Sequence, residues 1–175
     1  MKKELGLTTL TGITFSCVLG TLLHFLYSFT GNYLFSFISS VNESTFEHMK
    51  ILFFPMLIFG FLEFFYMGKH NENFWCVKLK GILLAVILIP ILFYTLTGIL
   101  GTLPAFINVL IFYVSIVLAF LYEQKLLKPF KSCKASLLAF ITLILLAFLF
   151  IIFTYYPPKL PLFLDPLTLT YGYFG

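Results

Sequence analysis

Apolar residues run almost unbroken through five stretches of the chain, roughly residues 7–29, 51–68, 81–100, 104–122 and 136–155. A helix crosses the hydrocarbon core of a bilayer with about 20 such residues. The stretches are apolar on every face and show no period-two alternation. Lipid requires backbone hydrogen bonds to close within a segment. The pattern therefore predicts an all-α protein, an integral membrane bundle of five transmembrane helices forming a single domain over residues 1–175. The start, Met1-Lys2-Lys3-Glu4, has the look of a signal peptide, but the apolar run continues to Phe29 without a small-x-small cleavage site, so it reads as a retained first helix. Between the third and fourth stretches lie only Gly101-Thr102-Leu103-Pro104, which predicts an antiparallel hairpin. Pro90 falls mid-span and is expected to kink the third helix.

Lysines orient the bundle. Lys2 and Lys3 precede the first span, Lys69, Lys78 and Lys80 flank the second loop, and Lys125, Lys128, Lys131 and Lys134 fill the fourth. Five spans place these nine of the eleven lysines on one side; only Lys50 and Lys159 fall outside. The positive-inside bias makes that side cytoplasmic, with the N-terminus inside and the C-terminus outside the cell membrane.

Composition agrees. The chain is 61% hydrophobic, 20% aromatic and 10% charged, with a mean hydropathy of +1.04. A soluble domain carries about 25% charged residues. The net charge of +4 rests on lysines alone. Without arginine, bidentate reading of phosphate is absent, which excludes nucleic acid as a partner. Arginine-free, Lys-, Phe- and Ile-rich usage suggests an AT-rich bacterial genome. Cys17, Cys76 and Cys133 are widely spaced with no CxxC, so they read as apolar fillers and no disulfide is expected. No motif calls for a cofactor, and metal binding stays open.

Two segments are not ordinary loops. Residues 30–50 hold a short apolar piece (33–38), then Ser39, Ser40, Asn42, Glu43, Ser44, Thr45, Glu47, His48 and Lys50. On a helix, Glu43 and Glu47 would share a face. Two carboxylates and an imidazole can bind a divalent cation or relay protons. The plain alternative is a helix start: Ser40-Val41-Asn42-Glu43 and Ser44-Thr45-Phe46-Glu47 both match the capping box, with Lys50 snorkelling at the interface. His24, a turn from the outer end of the first span, could complete a site with His48 and Glu47, or simply bond a neighbouring helix. The second segment, residues 156–175, is an extended outer tail stiffened by Pro157, Pro158, Pro161 and Pro166. Its leucines and Phe163 predict that it lies across the helix ends, where Asp165 could meet Lys50 or His48, or else stand as an exposed turn residue before Pro166.

Glu63 is an intramembrane carboxylate. A charge at a helix centre costs about 2.5–3.5 kcal/mol on insertion scales, so it must pair, face the interior or be protonated. Lys78, Lys80, the hydroxyls of Tyr66, Tyr94 or Tyr113, and Asn108 are the candidate partners. The glycines at 12, 20, 60, 81, 98 and 101 read as helix-packing positions.

Val41-Asn42-Glu43-Ser44-Thr45-Phe46-Glu47-His48-Met49-Lys50 running into Leu52-Phe53-Phe54-Pro55-Met56, together with Phe153-Thr154-Tyr155-Tyr156-Pro157-Pro158, Asp165-Pro166 and Tyr171-Gly172, resembles a family of small Firmicutes multi-pass membrane proteins of unknown function. Members of that family carry Trp at the position of Phe46, His at Lys159 and a basic residue at Leu164. The resemblance implies the topology and the candidate polar site, and no activity. Three roles remain: small-solute, ion or proton transport through an outward-facing Glu/His site, placed first; a non-catalytic accessory or assembly subunit with a membrane-protein partner or a second copy; and, last, an intramembrane enzyme acting on a lipid or envelope substrate.

Overall fold

The computed structural model describes residues 2–127 and 133–174; Lys128 and Lys131, which enter the charge argument, lie outside them. Five helices follow in order: α1 (Lys2–Thr30), α2 (Thr45–Tyr66), α3 (Phe74–Leu100), α4 (Ala105–Leu127) and α5 (Ser136–Tyr155). All five are long and apolar enough to cross a membrane. Short 3-10 turns occupy Tyr33–Phe37, Gly68–His70 and Pro161–Phe163. The described residues contain no strand beyond one isolated bridge, between Leu164 and Tyr171.

α2 is the central helix: it packs against α1 and α3, while α4 closes against α1 and α3 and α5 lies outside α3. Ile51, Leu52, Phe53, Met56 and Phe59 of α2 are buried, as are Ile82 and Ala85 of α3 and Ile116 and Ala119 of α4. The outward faces are greasy, with Leu137, Leu138, Leu145 and Phe148 of α5 exposed. Such a surface suits lipid, and in lipid it is close side-chain packing that holds helices together. α3 runs through Pro90 and α2 through Pro55 without a break.

The polar start of α2 shows how local chemistry sets the bundle. Ser44 is the N-cap and accepts a hydrogen bond from Glu47 N at 3.3 Å. The helix thus begins at Thr45, ahead of the apolar run, and residues 41–43 stay in a bend. The Ser40–Glu43 capping box does not form. After α5 the chain folds back. Phe163 is buried against Phe46, with ring centroids 4.5 Å apart. Tyr173 N donates to Thr154 O at 2.8 Å, and Asn42 Nδ2 donates to Gly172 O at 3.2 Å. Gly172 has φ 66°, and a Cβ there would lie 2.6 Å from Thr154 O, so this clasp requires glycine.

One expectation is overturned at the opposite end: Cys76 and Cys133 form a disulfide, with Cα atoms 6.6 Å apart. Both residues sit where α3 and α5 begin, and those helices pack side by side. The pairing is a product of topology across 57 residues of sequence, which no spacing motif announces. Cys17 is free and half-buried.

Candidate metal centre at the tail end

The end of the bundle that carries the C-terminal tail gathers His24 from the last turns of α1, Glu43 from the bend, and His48 from the first turn of α2. Their ligand atoms all lie within 4.8 Å of one another. Glu43 Oε1 is 3.6 Å from His24 Nε2, and Glu43 Oε2 is 3.6 Å from His48 Nε2. These separations are too long for hydrogen bonds. They are close to the edge of a tetrahedron around a cation, roughly 3.4 Å for ligands about 2.0–2.2 Å from the ion.

The outer ring nitrogens explain the aim of the inner ones. His48 Nδ1 is 2.9 Å from Ser44 O, and a carbonyl only accepts, so Nδ1 carries the proton. Ser40 Oγ donates to His24 O at 2.9 Å, which leaves its oxygen to accept from His24 Nδ1 at 3.3 Å. In the neutral form both rings therefore turn the Nε2 lone pair toward Glu43. Metal-binding histidines are held in this way, with the far nitrogen fixed by a backbone or side-chain acceptor.

Two cavities flank the centre. One of about 320 Å³ is lined by Thr45, Phe93, Leu103, Ile111 and, from the tail, Pro166 and Leu167. Another of about 250 Å³ lies on the α1 side, with Thr21, Phe25, Val109 and Tyr113 in its wall. Glu43, His48 and Asn108 line both, so the centre stands at the partition between them. Asn108 Oδ1 is buried with no hydrogen-bond partner among the described residues.

Glu47 and Lys50 are not part of this centre. They form a separate buried network, with Lys50 Nζ 2.6 Å from Glu47 Oε2. Lys50 also donates to Thr154 Oγ1 at 2.8 Å and Ser36 O at 2.9 Å, which uses all three ammonium protons. Glu47 Oε2 accepts from Val41 N at 3.0 Å, and Thr154 Oγ1 is placed to donate to Glu47 Oε1 at 3.0 Å. Lys50 is wholly buried and does not snorkel. Glu47 and Glu43 do not share a face, because Glu43 precedes the helix. Asn42 spends its side chain on Ser44 N and the tail. Asp165 is buried but caps its own turn, accepting from Leu167 N at 2.8 Å and Thr168 Oγ1 at 2.9 Å, rather than meeting Lys50 or His48.

At the opposite end Glu63 pairs with Lys78, as one expectation had it, and Lys78 also pairs with Glu123 at 2.5 Å. Asn108 sits at the tail end, and Tyr113 bonds Thr21 instead, at 2.9 Å. Sequence reasoning passed over Glu123, Thr154 and Asn108's true neighbours. Glu123 falls just past the fourth apolar run, two residues before Lys125, where nothing in the sequence singles it out.

A family model matches residues 3–173, described as a family of unknown function, DUF6512. The chain belongs to this family. Nothing among curated proteins or solved structures matches it. The protein is thus a multi-pass membrane protein of a family to which no activity is assigned.

Proposed function

We propose that the protein binds a divalent transition-metal ion through His24, Glu43 and His48 and holds a ligand at the ion's open coordination positions, in the flanking cavities. The observation that carries this reading is the aim of two Nε2 lone pairs and one carboxylate at a common point. Two imidazoles and a carboxylate suit Zn²⁺, Fe²⁺ or Co²⁺, and a metal with three protein ligands keeps a position free for chemistry. The cavity walls are apolar around a polar centre, which favours a ligand with a small polar head and an apolar body. Mid-bundle residues Phe53, Met56, Ala85 and Ile116 are closely packed, which favours chemistry on that ligand over its passage. Titration of the purified protein with Zn²⁺ is expected to give one site per chain, lost in His48→Ala; substoichiometric binding that His48→Ala leaves unchanged refutes the reading.

Ion transport is the second reading, favoured by the second charged cluster at the other end. Cobalt flux into proteoliposomes that is abolished by Glu63→Gln with His48→Ala supports it, and unchanged flux removes it.

The lysine bias supports a cytoplasmic N-terminus in a bacterial cell membrane, with the metal centre outside. The disulfide argues for the other sense, since such bonds persist in oxidising compartments. We favour the lysines, which outnumber the single bond even with Lys78 spent on a buried ion-paired cluster. Impermeant maleimide should then label Lys159→Cys in intact cells and Glu72→Cys only after permeabilisation; the reverse pattern inverts the topology.

A further inference from the structure

Glu63 of α2, Lys78 of α3 and Glu123 of α4 form a closed cluster at the end opposite the tail, each at most 5% exposed. Lys78 Nζ contacts Glu63 Oε2 and Glu123 Oε2. The ammonium is further enclosed by the rings of Phe59, Phe74 and Phe120, at 5.7, 5.6 and 5.2 Å. Aromatic faces favour a cation and do nothing for an anion. The lysine therefore stays charged, and the two carboxylates are left one positive charge short.

No other described group makes up the difference. α1 packs here with Gly12 against Phe59 and Phe120, and carries no titratable side chain from Leu5 to Ser16. α5 carries none from Ser136 to Phe148. On α3, Lys80 is exposed, and on α2, so is Tyr66. Both glutamates also stand near the C-terminal ends of their helices, where the helix dipole opposes negative charge. A surplus charge shut away from water is costly, and a carboxylate relieves it by taking a proton. Two buried carboxylate oxygens of the cluster have no hydrogen-bond partner among the described residues, Glu63 Oε2 and Glu123 Oε1; the first faces the Lys78 ammonium, which leaves Glu123 Oε1 as the receiving atom. It rests on Gly81, where a methyl group would overlap the carboxylate.

We propose that Glu63, Lys78 and Glu123 form a proton-binding site that holds one proton on the carboxylate pair, carried by Glu123 Oε1. The proton joins an oxygen lone pair and leaves the cluster neutral. This site is independent of the metal centre, and its carboxylates are a store from which a proton can be exchanged at the lysine-rich end.

Infrared spectroscopy of the intact protein in nanodiscs tests it through the protonated-carboxyl stretch. Wild type is expected to show one such band, shifted in D2O. Glu123→Gln and Glu63→Gln are each expected to abolish it, because either leaves one carboxylate ionised against Lys78. The two variants serve as checks on each other should one misfold. Lys78→Met is expected to raise the band about twofold. A wild-type spectrum without the band, or a band that survives both glutamine substitutions, overturns the proposal.

Discussion

Glu43 and Glu47 lie four residues apart, yet their surroundings are opposite. Glu47 is buried, and its carboxylate meets an ammonium, a hydroxyl and a backbone N–H within 3.0 Å. Glu43 is 43% exposed and stands 3.6 Å from each of two imidazoles, with no closer hydrogen-bond partner among the described residues. The first carboxylate is finished and ties α2 to α5 and to the connecting segment. The second is incomplete in a way that a cation would complete. A polar group with every bond made is doing structural work, whereas convergent groups held apart by supporting hydrogen bonds mark where something binds.

Breaking the finished side should cost the fold. Lys50→Ala leaves Glu47 buried without its cation, and a loss of about 3–5 kcal/mol is expected; thermal melting in detergent reads it, and an unchanged midpoint would mean that the pair contributes nothing. Thr154→Val removes the hydroxyl that bridges Lys50 and Glu47 and should cost about 1–3 kcal/mol. Ser44→Ala, which loses the N-cap between the two networks, should cost about 1 kcal/mol. On the incomplete side Glu43→Gln should change metal-free stability by no more than about 0.5 kcal/mol. The same variant should lose the rise in melting temperature that saturating Zn²⁺ gives wild type. A Glu43→Gln protein as unstable as Lys50→Ala would erase the contrast between the two carboxylates.

Much of this was legible from residues alone. The five apolar runs gave the helices, because lipid leaves the backbone no other regular solution with this pattern. Ser44 as an N-cap, His24 at the level of His48, and Glu63 seeking Lys78 could all be read from spacing and from the cost of a buried charge. The choice of carboxylate could not. Helical spacing pairs Glu43 with Glu47, but Ser44 starts the helix between them, and a single turn of bend sends the two side chains to different sides. Lys50 read as an interfacial lysine because nothing nearby in sequence foretells Thr154, more than a hundred residues on, as its partner. Glu123 and Gly81 together make sense only once α3 and α4 are side by side. The Cys76–Cys133 bond depends on the same three-dimensional adjacency, of α3 with α5.

The account turns on the point between His24, Glu43 and His48, and X-ray absorption at the zinc edge of the loaded protein addresses it most directly. Scattering from two imidazole rings, with oxygen filling the remaining positions, is the predicted spectrum, and His24→Ala and His48→Ala should each lose that two-imidazole signature. A zinc environment without imidazole, or one that keeps both rings in both variants, would contradict it.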